Sequence, residues 1–179
     1  MAGFKPVNKI GGTARTGQTV CYHVDSGHST LLAPGDAVLI TGTSDVDGLA
    51  EVDAATAGSL ITGMITAVLP NYGNLNQSGL PASTAGYVLV DTDISTVFEA
   101  IVDSSGVART DVGSNADIVA TAATNTVGFA QSNMVVNGGS YTAGSAQVRL
   151  VGLKEGNTGA GATVYIRINE STEYDTTGV

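Results

Sequence analysis

LAPGDAVLITGTSDVDGLAEV, residues 32–52, decides the fold class. Pro34-Gly35-Asp36 opens the stretch as a turn, and Ala37–Thr41 (AVLIT) is a short apolar run of the kind found in buried strands. Asp47-Gly48 then stands before Leu49–Val52 (LAEV). Asp-Gly between two apolar segments is a hairpin signal, because both residues accept the positive φ of a tight turn. The stretch predicts a β-hairpin whose loop is somewhat long and includes Gly42.

The same pattern recurs on both sides. Thr19–Val24 (TVCYHV) alternates, with Val20, Tyr22 and Val24 on one face and Cys21, His23 and Asp25 on the other. Ser59–Leu69 (SLITGMITAVL) is the longest apolar run, but its β-branched residues and Gly63 favour a strand bent at a glycine bulge over a helix. Tyr87–Val90, Val97–Val102 and Met134–Val136 read as further strands. Gln147–Val151 and Val164–Ile168 are two clear alternating strands joined by the loop GNTGAGA. With no long helix and no fixed repeat, the chain is expected to be all-β, an antiparallel barrel or sandwich of about eight to ten short strands. Residues 103–145 leave open a second small lobe within the 19–179 domain.

Composition agrees with that class. The 179 residues suit one domain, and charged residues make up 13% against a usual ~25%. Scarce charge with 42% apolar residues argues against disorder. The single cysteine, Cys21, excludes an internal disulfide. The opening MAGFKPVNKIGG lacks the apolar core of a secretion signal, and no run approaches the ~20 apolar residues of a membrane span. The expectation is a soluble protein made in the cytoplasm. A net charge of −9 argues against bulk attraction to nucleic acid or an anionic membrane.

That charge is unevenly placed. Lys5, Lys9 and Arg15 fall within the first 24 residues, which hold no Asp or Glu. Residues 1–18 therefore read as a basic, extended N-terminal arm on an acidic body. A frayed terminus is one reading of it. A tether that orders on a partner is the other, and Phe4, Val7 and Ile10 supply apolar anchors for it. On the second reading, deleting residues 2–18 weakens partner binding more than it lowers stability. Pro70–Ser83 is a long polar loop, and Tyr72, Asn74 and Leu75 within it are candidate contact residues.

Candidate chemistry is sparse. Cys21, His23, Asp25 and His28 could set a thiolate and two imidazoles near one metal. Structural zinc sites bring paired ligands at both ends, so an ordinary strand face is the expected role, with a Cys–His nucleophile the remaining reading. Asp45 and Asp47 resemble the start of a calcium loop, but Ala50 stands where Gly is needed and Thr56 where the bidentate Glu belongs. Asp91 and Asp93 are expected to project from a strand end into solvent. Gly159-Ala160-Gly161 precedes a strand rather than a helix, which removes the phosphate-binding argument. Six tyrosines are scattered along the chain, and an aromatic sugar-binding cleft is a minor alternative. No catalytic residue, metal site or cofactor is expected, and a chain of this kind is read as a binding or assembly protein rather than an enzyme.

Four segments carry a family resemblance. They are PGDAVLITG, LPASTAGY, GYVLVDTDISTVFEAIVDSSGVARTDVGSNADIVA over residues 86–120, and SAQVRLVGLKEGNTGAGATVYIRINES near the end. From about Leu32 onward the chain resembles the small virion proteins encoded near the capsid gene of tailed bacteriophages. The resemblance implies a head decoration, or cement, protein: all-β, bound to the outer capsid surface, often a homotrimer, clamping subunits of the major capsid protein. It does not extend to the arm, and it brings no list of site residues. Under it, Phe4, Lys5, Val7, Lys9, Ile10 and Arg15 of the arm and Tyr72, Asn74 and Leu75 of the loop become expected capsid or subunit contacts. A tail or fibre component of the same virion, or a carbohydrate-binding adhesive module, are the alternatives.

Overall fold

A computed structural model describes residues 2–14, 17–72, 75–126 and 128–172. Fourteen strands lie among them. In chain order they are β1 (Lys5–Lys9), β2 (Val20–Val24), β3 (Ala37–Ser44), β4 (Ala50–Ala54), β5 (Gly63–Val68), β6 (Gly86–Asp91) and β7 (Thr96–Ile101), then β8 (Asn115–Ala116), β9 (Ile118–Val119), β10 (Thr124–Thr126), β11 (Phe129–Gln131), β12 (Val135–Val136), β13 (Val148–Leu153) and β14 (Thr163–Ile168). The protein is all-β, and no helix among the described residues is long and apolar enough to cross a membrane.

Two units share the chain. A closed barrel runs β2-β4-β3-β5-β6, and a five-stranded sheet runs β1-β7-β14-β13-β8. The ladders are antiparallel, except that β2 meets β4 in parallel at the single pair His23–Glu51. That contact closes the barrel. The strand count exceeds the sequence expectation because β8, β9 and β12 are two-residue pairings and β10 and β11 have three residues each.

The residue 32–52 hairpin forms as expected. Asp45 Oδ1 accepts the Asp47 and Leu49 amides at 2.9 and 2.8 Å, and Gly48 takes a φ of 80°. The ladder is irregular between Ile40 and Ser44, where Gly42 lies. Of the apolar run 59–69, Gly63–Val68 form a strand, and its bulge falls between Ile65 and Ala67 while Gly63 stands at its start. Gly63 serves a different purpose: a Cβ there would run into the Asp91 carbonyl and the Val90 side chain.

Two cores explain why β3 and β5 are apolar on both faces. Val38 and Ile65 point into the barrel, where they meet Tyr22, Val24, Leu32, Val52, Leu80, Val88 and Val90. Their neighbours Ala37 and Met64 point the other way, onto the inner face of the sheet with Phe98, Leu150, Val164 and Ile166. A strand buried on both faces reads as a continuous apolar run, whereas β14 has one wet face and alternates strictly. Each fully buried Leu, Ile or Phe contributes about 1.5–3 kcal/mol of transfer free energy. Residues 103–145 add Val107, Ala116, Ile118, Met134 and Val136 to the same inter-layer core.

The N-terminal segment is built into the domain. Gly3 donates to the Met134 carbonyl at 2.9 Å and Phe4 to the Gly35 carbonyl at 2.8 Å. The Phe4 ring is 1% exposed, within the inter-layer core. β1 then pairs with β7, Lys5 opposite Glu99 and Lys9 opposite Thr96, with a bulge between Pro6 and Asn8. Pro6 and two lysines suit an edge strand, where a missing amide donor is tolerated and charge discourages further pairing.

Candidate functional site

Three strongly exposed large apolar side chains lie on two segments that are bonded to each other, while Val46, fully exposed in the β3–β4 turn, stands by itself. Residues 69–72 and 75–79 belong to the connection after β5, and the paired strands β10 and β11 are bonded to it. Ser78 N–H donates to the Gly128 carbonyl at 3.3 Å, and Ala130 N–H donates to Ser78 Oγ at 2.7 Å. Gly79 is needed at the junction, since a Cβ there would strike the Ala130 side chain. Reciprocal amide bonds between Leu32 and Leu80, at 2.9 and 2.8 Å, fix the foot of the loop, and both side chains are buried in the barrel.

The tip of this unit is apolar. Tyr72 is 92% exposed, Leu75 71% and Phe129 68%. Leu75 precedes Asn76 and Phe129 follows Gly128, and a Cβ at Gly128 would strike the Asn76 carbonyl, so the two residues are carried by segments in close contact. Single exposed apolar residues are ordinary, but three large ones on one anchored projection mark a contact surface. Tyrosine and phenylalanine offer large contact area for little lost rotamer freedom.

The other expected contact residues are placed differently. Val7 and Ile10 are exposed, at the bulge of β1 and in the turn after it. Lys5 is exposed, while Lys9 is held by Asp93 at 2.6 Å. Phe4 is turned inward and has no surface to offer a partner. Arg15 and Asn74 lie outside the described residues. Phe129 was not among the expected contacts, although an aromatic residue beside Gly128 within a polar stretch is the signal that marks it.

The histidine cluster does not converge. His23 Nδ1 lies 3.1 Å from Glu51 Oε1, and its ring stands 5.3 Å from that of Tyr87. His28 is buried in the following turn with Nδ1 at 2.8 Å from the Asp25 carbonyl, and Asp25 Oδ1 accepts the Gly27 amide. No group of three His, Cys, Asp or Glu side chains among the described residues is arranged to hold a metal ion.

Asp91 corrects an expectation. It is buried rather than solvent-facing, and accepts hydrogen bonds from Thr96 Oγ1 and the Asp93 amide. Asp93 accepts from Lys9 and from the amide and hydroxyl of Ser95. Its carboxyl is pulled down to about 2, chiefly by the Lys9 ammonium and then by Ser95. The 91–96 turn thus ties β1 to the junction of barrel and sheet.

No family model, curated protein or solved structure matches the chain.

Proposed function

We propose that this protein is a virion component that decorates the outside of a tailed-bacteriophage capsid and bridges neighbouring subunits of its shell. The observation that carries the reading is the anchored projection tipped by Tyr72, Leu75 and Phe129. A clamp acts through buried area, and apolar side chains held on a rigid foot gain that area at low entropic cost. The segment order from Leu32 onward supports the same assignment through its resemblance to decoration proteins.

The test is the amount of this protein in purified particles of its source, measured by quantitative mass spectrometry against the major shell protein. Decoration requires a simple ratio to the shell subunit. A few copies per particle would move the protein to the tail or a vertex, and absence from particles would overturn the reading. A companion measurement uses Tyr72→Ser/Leu75→Ser/Phe129→Ser. It is expected to lose particle binding while each change alters stability by no more than about 0.5 kcal/mol, as for surface positions generally.

A further inference from the structure

The outer face of the five-stranded sheet has a charge unlike the rest of the molecule. Lys5, Lys9, Arg149, Lys154 and Arg167 are on it or at its rim, against Glu99, Asp93 and Glu155, which follows Lys154 in the turn after β13. These are five of the chain's seven Lys and Arg but three of its sixteen Asp and Glu. The rest of the sequence carries two cations and thirteen carboxylates.

Two of these cations are placed at a cost. Arg149 and Arg167 are directly opposite each other in the β13–β14 ladder. Like charges in that position repel. Glu99 is taken by Lys154 at 2.9 Å and Asp93 by Lys9 at 2.6 Å. Neither arginine has an ion-pair partner among the described residues. Between the arginines and the Ile10–Gly12 turn runs a groove of about 640 Å³, with Val97, Val151 and Tyr165 in its lining. An apolar floor beside two unpaired guanidinium groups fits a protein surface that brings carboxylates, since each guanidinium can hold a carboxylate through two parallel bonds.

The chain itself carries such a surface. Asp25, Glu51 and Asp53 line a separate hollow of about 320 Å³ on the barrel, and Asp45 and Asp47 sit in the adjoining turn. The barrel packs against the sheet's inner face, so these carboxylates and the outer-face arginines do not meet within one molecule.

We propose that the outer face of the sheet docks a second copy of this chain, head to tail, with Arg149 and Arg167 of one copy receiving the barrel carboxylates of the next. Such a contact uses two different surfaces. It closes into a ring when its rotation permits and otherwise extends as a filament. The inference rests on the decoration reading, whose resemblance implies self-association, and deepens it by naming the two surfaces that meet; it is tested without particles.

Sedimentation velocity of the full chain is the experiment, at about 0.01 M and about 1 M NaCl, where the Debye length falls from about 30 to about 3 Å. Association is expected at low salt and its loss at high salt. Arg149→Glu/Arg167→Glu and, separately, Asp47→Lys/Asp53→Lys are each expected to weaken association about tenfold or more. An equimolar mixture of the two variants is expected to regain it. Both sets leave the His23–Glu51 contact intact, and Arg149→Ala/Arg167→Ala replaces the first if it does not fold. A wild-type protein that is monomeric at both salts, or variants that associate as the wild type does, would overturn the proposal. Neither result would bear on particle binding through Tyr72, Leu75 and Phe129.

Discussion

Phe4→Ala is expected to be among the most damaging single changes in this protein, although residue 4 is at the edge of a segment that reads as a loose arm. The ring is 1% exposed and packs between the layers with Phe98, Met64 and Met134 as fellow core members. Truncating a buried phenylalanine costs about 3–5 kcal/mol, from lost transfer free energy plus the cavity left behind. The backbone around it is pinned to Gly35 and Met134, so the site cannot easily collapse to fill the void. Against a total stability of about 5–15 kcal/mol, such a loss is a third or more for much of that range. Phe4→Leu keeps most of the volume and is expected to cost less than about 1.5 kcal/mol. Equilibrium unfolding in guanidinium chloride measures both, and hydrogen exchange of the β7 amides reports whether β1 has detached. A Phe4→Ala midpoint within error of wild type would refute the reasoning and return residues 1–18 to the status of a tether. If the loss is found, deletion of residues 2–18 exposes the β7 edge and removes a core residue. It then tests stability first and partner binding only second, the reverse of the order expected from sequence.

Asp36 makes a pH prediction. Its carboxyl is 1% exposed, and burial pushes it from 3.8 up to about 6, against the opposing effect of Ser132 and of the Ala33 amide on Oδ2. The folded pKa exceeds the unfolded one, so this group's stabilising share is full below the unfolded value and is lost as pH rises through about 6. The loss by pH 8 is about 3 kcal/mol. Asp36→Asn keeps an acceptor for Ala33 and is expected to remove that slope and raise stability at pH 8, read by denaturation at several pH values; an unchanged slope would refute it. Gly138→Ala is expected to cost about 1–3 kcal/mol, because its Cβ would meet the Gly106 backbone and the Val102 side chain. Gly144→Ala, whose nearest neighbour is Thr142 Oγ1 at an ordinary 3.5 Å, is expected to be near neutral, and equal melting temperatures for the two variants would contradict the packing argument.

What the sequence discloses here depends on how local the determining physics is. Asp47-Gly48 fixes a turn through its own backbone preferences, and the strict alternation of β14 follows from one wet face and one dry face. Both are legible without the fold. The parallel contact of His23 with Glu51 is not, because nothing near either residue specifies a partner 28 positions away. β1 is hidden for a different reason: Pro6 and the bulge after it break the alternation that would announce a strand, while its anchor, Phe4, precedes the paired residues. Asp91 shows the same limit for charge, since the groups that meet its buried carboxylate, among them Thr96 Oγ1 and the Asp93 amide, are placed there by the folded turn. The contact surface divides along the same line. Tyr72 and Leu75 stand out in sequence because a long polar loop has no internal use for them. Phe129 acquires its meaning only when the β10–β11 hairpin is bonded to Ser78 and the two segments share one tip. The opposed arginines of β13 and β14 are the extreme case, because each sits innocuously on its own alternating strand and only the register makes them a pair. An unpaired like-charge pair is a cost that folding alone does not explain. It is the kind of local conflict that persists where a surface is shaped for a partner rather than for the isolated molecule.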